Sequence, residues 1–426
     1  MRANRRTDPR GAILRGWTDA GARNDSRPMP LKATWTPARR NPLPAITAAL
    51  LLAVAAAFRA GAVTPDWSVE VTPEGELFPV LDLSQKAKPG SAPGGGNGLV
   101  IVRVAGDGEA RHVRAVVETA GLREPVVVEA TTERGEVELR PRLDWDTGYL
   151  RALDAPVRQP LRVTLERSGF GAEVRELAVR VHPLDDALYY VREGRDRVDL
   201  GWVFAAYVNP RDPVVEEVLA LAREDDPDFD REGDDGHARL RKTRAIWGAL
   251  ARHGLRYAAG DPALSRGPTV YSQRVRLLAD VWRERRANCL DGSVLIASVL
   301  ERIGIPASVV LVPGHAFVGF HADADHVEFL ETTLLGEQRR FRGGHAEAAD
   351  AAAIDANFAA ARKAGLARWQ RSATRFDGRH GPDYAFIDIG TARSYGIIPL
   401  GAHGEDAGGR SGPRAAAGLS RKSGSQ

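Results

Sequence analysis

Asn288-Cys289-Leu290-Asp291-Gly292-Ser293-Val294-Leu295-Ile296-Ala297-Ser298-Val299-Leu300-Glu301-Arg302-Ile303-Gly304-Ile305-Pro306 is the stretch on which the reading of this chain turns. From Asp291 to Ile303 the apolar residues Val294, Leu295, Ile296, Ala297, Val299, Leu300 and Ile303 cover most of a helical circumference, which predicts a helix buried on nearly all sides. Gly304 ends it and Pro306 follows. Cys289 opens that helix and is the only cysteine of the chain, so it cannot close an internal disulfide. A thiol on the first turn sits at the positive end of the helix macrodipole, beside unpaired backbone amides. Both favour thiolate, which suits a nucleophile.

Downstream, Val309 to Val312 and His315 to Phe320 are two apolar runs separated by Pro313-Gly314, the pattern of two strand segments or one bent strand. Period-two alternation groups His315 with Phe317 and sets Ala316, Val318 and Phe320 on the opposite face. A third alternating run, His326-Val327-Glu328-Phe329-Leu330-Glu331, ends in a carboxylate that shares a face with Val327 and Phe329. Glu331 is then available to hold the His315 imidazole in one tautomer, and His315 to serve Cys289.

The order of these residues resembles the transglutaminase-like branch of the papain-like cysteine enzymes. Asn288-Cys289-Leu290-Asp291 matches that family's nucleophile motif, Ile303-Gly304-Ile305-Pro306-Ala307 its Gly-Ile-Pro turn, Gly314-His315-Ala316-Phe317-Val318 its histidine motif, and Glu331-Thr332-Thr333 stands where its acid is expected. The match runs over residues 240 to 335. It departs in two places, since Glu331 replaces the usual Asp and Thr332 the usual Pro. The resemblance implies an α+β fold, a transglutaminase-like core in which the Cys-bearing helix packs on an antiparallel sheet. It also implies a Cys289, His315, Glu331 triad acting on amide or peptide bonds, and an oxyanion site made by the Gln273 side chain and the Cys289 backbone N–H. Gln273 itself lies in Tyr271-Ser272-Gln273-Arg274, which by composition alone is equally a turn at the surface.

Composition is compatible with that expectation. The 426 residues are 43% hydrophobic and 27% charged with a formal net charge of +3, so no nucleic-acid partner is implied. Cys289, His315, His321 and His326 are the conceivable metal ligands, but no Cys-x-x-Cys or His-Glu-x-x-His spacing is present, and neither a metal nor a cofactor is expected. Asp291 reads best as an acidic partner for the amino end of its own helix.

Around this core the chain divides into five parts. In residues 1–62, Lys32, Arg39 and Arg40 precede the apolar run Ala45 to Phe58, and Ala60-Gly61-Ala62 follows, the order of a secretory signal. Export to the periplasm or beyond is expected, with an uncleaved membrane anchor as the alternative and Met29 as a second possible start. Residues 63–97 read as a linker, ending in a Gly- and Pro-rich run. Residues 98–184 carry short β-branched runs (100–104, 113–117, 126–128, 137–143, 161–165 and 177–181) separated by turn residues, which predict an immunoglobulin-like β-sandwich.

Residues 185–400 form the core domain. Its pattern is helical from Pro183 to about Gly260, with Asp212-Pro213 starting one amphipathic stretch and Leu240, Thr243, Ile246, Trp247 and Leu250 recurring before Gly254 in another. Further on, residues 345–372 are Ala-rich and helical, and Ala385 to Ile389 reads as a late strand. Residues 401–426 are expected to be disordered. The expected partner is a peptide or protein substrate, cleaved by water. Protein crosslinking by an amine acceptor, or a non-catalytic binding module with Cys289 merely buried, are the alternatives.

Overall fold

The computed structural model describes residues 66–85, 98–194, 196–231, 233, 235–259, 269–336 and 351–401. The targeting segment and most of the expected tail lie outside the described residues. Among those described, no helix is long and apolar enough to cross a membrane. The fold is α+β, with several sheets and helices.

The amino-terminal part is a sheet of six strands: β1 (Trp67–Val71), β2 (Glu76–Leu77), β3 (Val100–Glu118), β4 (Val126–Leu139), β5 (Val157–Arg167) and β6 (Glu173–Val181). The hydrogen-bonded order is β1-β3-β5-β6-β2, with β4 also on β3. Two expectations change here. The span read as a linker contains β1, β2 and a short helix, Pro79–Leu83, and Trp67, Phe78 and Val80 in it are core residues. Residues 86–97 lie outside the described residues.

The runs 100–104 and 113–117 are one strand, and 126–128 joins 137–139 in another. Gly106-Asp107-Gly108-Glu109 has the composition of a turn, yet β3 and β4 continue past it with a register shift between Asp107 and Arg111, and Gly106 faces Gly135. A Cβ on Gly106 would stand 2.2 Å from the Glu133 carbonyl oxygen. Glycine is there for close strand approach and not for chain reversal. The alternation Leu161, Val163, Leu165 does bury one face of β5 as expected.

The carboxy-terminal part opens with the hairpin β7 (Asp186–Glu193) and β8 (Asp196–Asp199), to which β10 (Val270–Arg274) adds on the β7 side. A helical pattern was the expectation from Pro183 onward. The run Leu188-Tyr189-Tyr190-Val191 forms a strand instead, because its aromatic and β-branched residues pack across the sheet: Tyr190 stacks on Tyr271 of β10 at 4.1 Å. Helices α1 (Pro213–Asp225) and α2 (Gly236–His253) follow where they were expected. Asp212 caps the first, with Pro213 at its start, and Gly254 at φ 93° ends the second. Trp247 is buried and donates its indole N–H to Asn357 Oδ1 at 2.8 Å.

Beyond β9 (Arg256–Tyr257), helix α3 (Leu278–Glu284) and β11 (Arg286–Ala287) comes the predicted central helix, α4 (Cys289–Arg302), with every residue from Leu290 to Leu300 buried. It packs against a four-stranded antiparallel sheet, β12 (Ala307–Val312), β13 (His315–His321), β14 (Val327–Leu330) and β15 (Ala385–Asp388), in the order β14-β13-β12-β15. Alternation sorts the faces of β13. Ala316, Val318 and Phe320 join the main core with α4, while Phe317 joins Phe329, Val310 and Val312 in a second, smaller cluster.

Helix α5 (Ala351–Ser372) covers the second cluster. Trp369 is its centre, stacked on Phe329 at 4.7 Å and Phe376 at 4.9 Å, with Phe386 edge-on at 5.6 Å. Gly365 lets α5 lie directly on β14. A Cβ there would come within 2.7 Å of the Phe329 carbonyl and 2.9 Å of the Leu330 nitrogen, and neither is a side chain that can turn away. Gly365→Ala is therefore expected to destabilise the fold by about 1–3 kcal/mol, outweighing the better helix propensity of alanine. Urea unfolding reads this directly, and an unchanged midpoint would contradict the close packing.

Candidate active site

The start of α4 is fixed by a reciprocal cap. Asn288 Oδ1 accepts from the backbone N–H groups of Leu290 and Asp291, both at 2.8 Å, and Asp291 Oδ2 accepts from the Asn288 N–H at 3.1 Å. Asp291 has no solvent exposure, and burial raises its carboxyl pKa against the opposing pull of Arg276. Arg276 answers it through its backbone N–H and its Nε, each at 3.0 Å, so the strand exit after β10 is tied to the first turn of the helix. Asp291 thus caps its own helix, as its position suggested.

Two hydroxyls meet on the carbonyl of Cys289: Ser293 Oγ donates at 2.7 Å and Thr332 Oγ1 at 3.1 Å. Thr332, one of the two residues where the resemblance departs, therefore joins the loop that carries Glu331 to the start of α4. Cys289 itself is partly exposed. Among the hydrogen bonds of the described residues, none takes up its backbone N–H, which is one of the amides a helix start leaves unpaired.

His315 begins β13 and Glu331 directly follows β14. The register pairs Val318 with Leu330, and one further step sets Glu331 opposite Phe317, diagonal to His315 on the same face. His315 Nε2 lies 2.9 Å from Glu331 Oε2 and 3.0 Å from Oε1, which leaves Nδ1 as the ring nitrogen turned to other partners. The Cys289 thiol is close enough to the same ring to favour its protonated form. Burial opposes charge on the imidazole, but the hydrogen bonds with Cys289 and Glu331 and the charge of Glu331 prevail and raise its pKa to about 9. For Glu331, burial works upward and the contact with His315, the charge of Arg368 and the Thr333 hydroxyl work downward, leaving it at about 2. At neutral pH the pair is an imidazolium on a carboxylate, beside the sulfur.

Of the four residues named from the sequence, His315 and Glu331 are thus in direct contact, and Cys289 is joined to their loop through the Thr332 hydroxyl on its carbonyl. Gln273 sits in β10, a strand and not a turn, in the sheet that excludes His315 and Glu331. Its side-chain amide donates to the neighbouring Arg274 carbonyl at 3.1 Å, and among the hydrogen bonds of the described residues none joins it to Cys289. Two further residues at the site carried no role in the sequence reading. Tyr257 lies next to Ala287 in the parallel pair β9 and β11, and its phenol pKa is raised by burial and by the proximity of Cys289 and Glu331. Arg368, on α5, donates from Nε to Glu331 Oε2 at 2.8 Å. No motif marks an arginine 37 residues beyond the acid in an Ala-rich helix.

No family model matches the chain, and no curated protein matches it. Among solved structures it is similar to the crystal structure of a "putative protease" from Parabacteroides distasonis, with 13% identity and a TM-score of 0.22, over 54% of this chain and 39% of that one. The chain thus covers well under half the length of that protein.

Proposed function

We propose that this protein is a thiol-dependent hydrolase of amide or peptide bonds, with Cys289 as nucleophile, His315 as acid and base, and Glu331 as the group that orients the ring. One observation carries the reading: a half-buried histidine, ion-paired with the buried Glu331, is influenced by the chain's single thiol, which sits at the capped start of a buried helix. The motifs around Cys289, His315 and Glu331 and their order support a transglutaminase-like core, preceded by a part built on one six-stranded sheet.

The Cys289 sulfur adds to the carbonyl carbon as thiolate, and the negative oxygen forms where the Cys289 backbone N–H can donate to it. Gln273 is the second donor by resemblance, and to act it must leave the Arg274 carbonyl. His315 gives its proton to the departing amine as the C–N bond breaks, leaving a thioester on Cys289. The neutral ring then takes a proton from water, whose oxygen attacks the thioester, releasing a carboxylic acid and the Cys289 thiolate and restoring the imidazolium. Glu331 stays ionised throughout, its pKa lying near 2. The substrate on this reading is a peptide or protein met outside the cytoplasm, a location supported by the basic, apolar and small-residue order of residues 32–62.

The deciding experiment is turnover of unfolded protein and short peptide substrates by the full chain and by Cys289→Ala. Activity is expected in the first and a loss of at least about 10⁴-fold in the second. Equal turnover in both would remove the thiol from the mechanism.

A further inference from the structure

Glu331 is held from three directions. His315 meets both of its oxygens, Thr333 Oγ1 donates to Oε1 at 2.8 Å, and Arg368 Nε donates to Oε2 at 2.8 Å. The carboxylate side chain is only 3% exposed and that of Arg368 19%, so solvent screens their contact weakly. Glutamate has one more rotatable bond than aspartate, and a carboxylate on the longer stem needs a fixed partner to stay in one rotamer. Thr333 belongs to the same loop as Glu331, so it moves with the acid. Arg368 comes from a different element, anchored by its neighbour Trp369 in the aromatic cluster.

We propose that Arg368 is a positioning residue of the site: by sharing the Glu331 carboxylate with His315 it fixes the acid's rotamer and limits how strongly the imidazole holds its proton. The inference rests on the reading of His315 as acid and base. Among the described residues, the other titratable groups acting on the pair are Cys289 from α4 and Tyr257 from β9. Elsewhere on α5, Arg362 is engaged by Glu328 at 2.6 and 3.2 Å, and the nearest acid on α4, Asp291, is engaged by Arg276. Among the described residues, Arg368 is thus the cation that divides Glu331 with the ring. A positive charge there disfavours the protonated imidazole, so its removal raises the pH at which the ring loses its proton. A ring that holds its proton too firmly is a poorer donor to the leaving amine.

The test is the titration of the His315 ring in the full chain by nitrogen-15 NMR, assigned by the resonance missing in His315→Gln. In Arg368→Gln the midpoint is expected to rise by about one pH unit. In Arg368→Lys, which keeps the charge and loses the planar fork, it is expected to stay at the value of the parent protein, while kcat falls about tenfold at unchanged KM. An Arg368→Gln midpoint that stays or falls overturns the charge-sharing role. If that variant does not fold, the lysine variant still decides, because parent-level kcat in Arg368→Lys overturns the positioning role. The ring titration needs no substrate, so an inactive protein, or one whose activity survives Cys289→Ala, would sink the hydrolase reading and leave the Arg368 result standing.

Discussion

The His315→Ala variant is expected to lose about 10⁴-fold or more in kcat/KM while remaining folded. The magnitude follows from the ring's double duty, as proton donor to the leaving amine and proton acceptor from water, since one positioned acid or base is worth 10²–10⁴-fold and both are lost together. The fold should survive because Glu331 keeps Arg368 and Thr333 when the ring is gone. Alkylation of Cys289 by iodoacetamide near pH 6.5 is expected to slow in parallel, as the sulfur loses the cation beside it. Side-by-side steady-state rates and alkylation rates check this. Near-parent kcat/KM in His315→Ala would assign the proton transfers to another group.

Glu331→Ala has the larger structural consequence. It leaves the mostly buried Arg368 guanidinium and the His315 ring without their shared partner, and a broken buried pair costs about 3–5 kcal/mol. The loss depends on pH in a predictable direction. Glu331 is held at about 2, below its ordinary 4.5, so its contribution is present above pH 4.5 and disappears as pH falls toward 2. His315 is raised from 6.5 to about 9, so its contribution is full below pH 6.5 and disappears as pH rises toward 9. The stability difference between the parent and Glu331→Gln should therefore peak between pH 4.5 and 6.5 and shrink on both sides. From the ring titration alone the change on the alkaline side is at most on the order of 3 kcal/mol, counted once because both partners report the same contact. Urea unfolding at pH 3, 5.5 and 9 measures the profile, and a flat difference would mean that the pair is not ionised in the folded protein.

Much of the site was legible in the sequence because its geometry is local. A helix apolar all round with a polar cap pair, Asn288 and Asp291, names its own start, and period-two alternation puts His315 and Glu331 on known faces of short strands. What escaped was set by tertiary contact. The β3 and β4 strands run through residues of turn-like composition because Gly106 admits a close neighbour. The β7 strand looks apolar without a period because its partners, not its own sequence, decide its faces. Arg368 offers no signal at all, since nothing in an Ala-rich helix tells which arginine lands on a distant carboxylate. Thr332 was seen only as a mismatch, and its hydroxyl contact to Cys289 depends on how its loop meets the start of α4.

The aromatic cluster around Trp369 has a consequence for where the working unit ends. Cys289, His315 and Glu331 are all encoded before residue 332, yet the arginine that steadies the acid is moored by Phe376 and Phe386, and β15 closes the sheet edge beside β12. A fragment cut soon after the acid would retain each reacting group and still lack the buttress that keeps them in register. A piece that keeps the candidate site whole therefore reaches past Asp388, and the carboxy-terminal stretch supports that site as much as the helix that carries the sulfur.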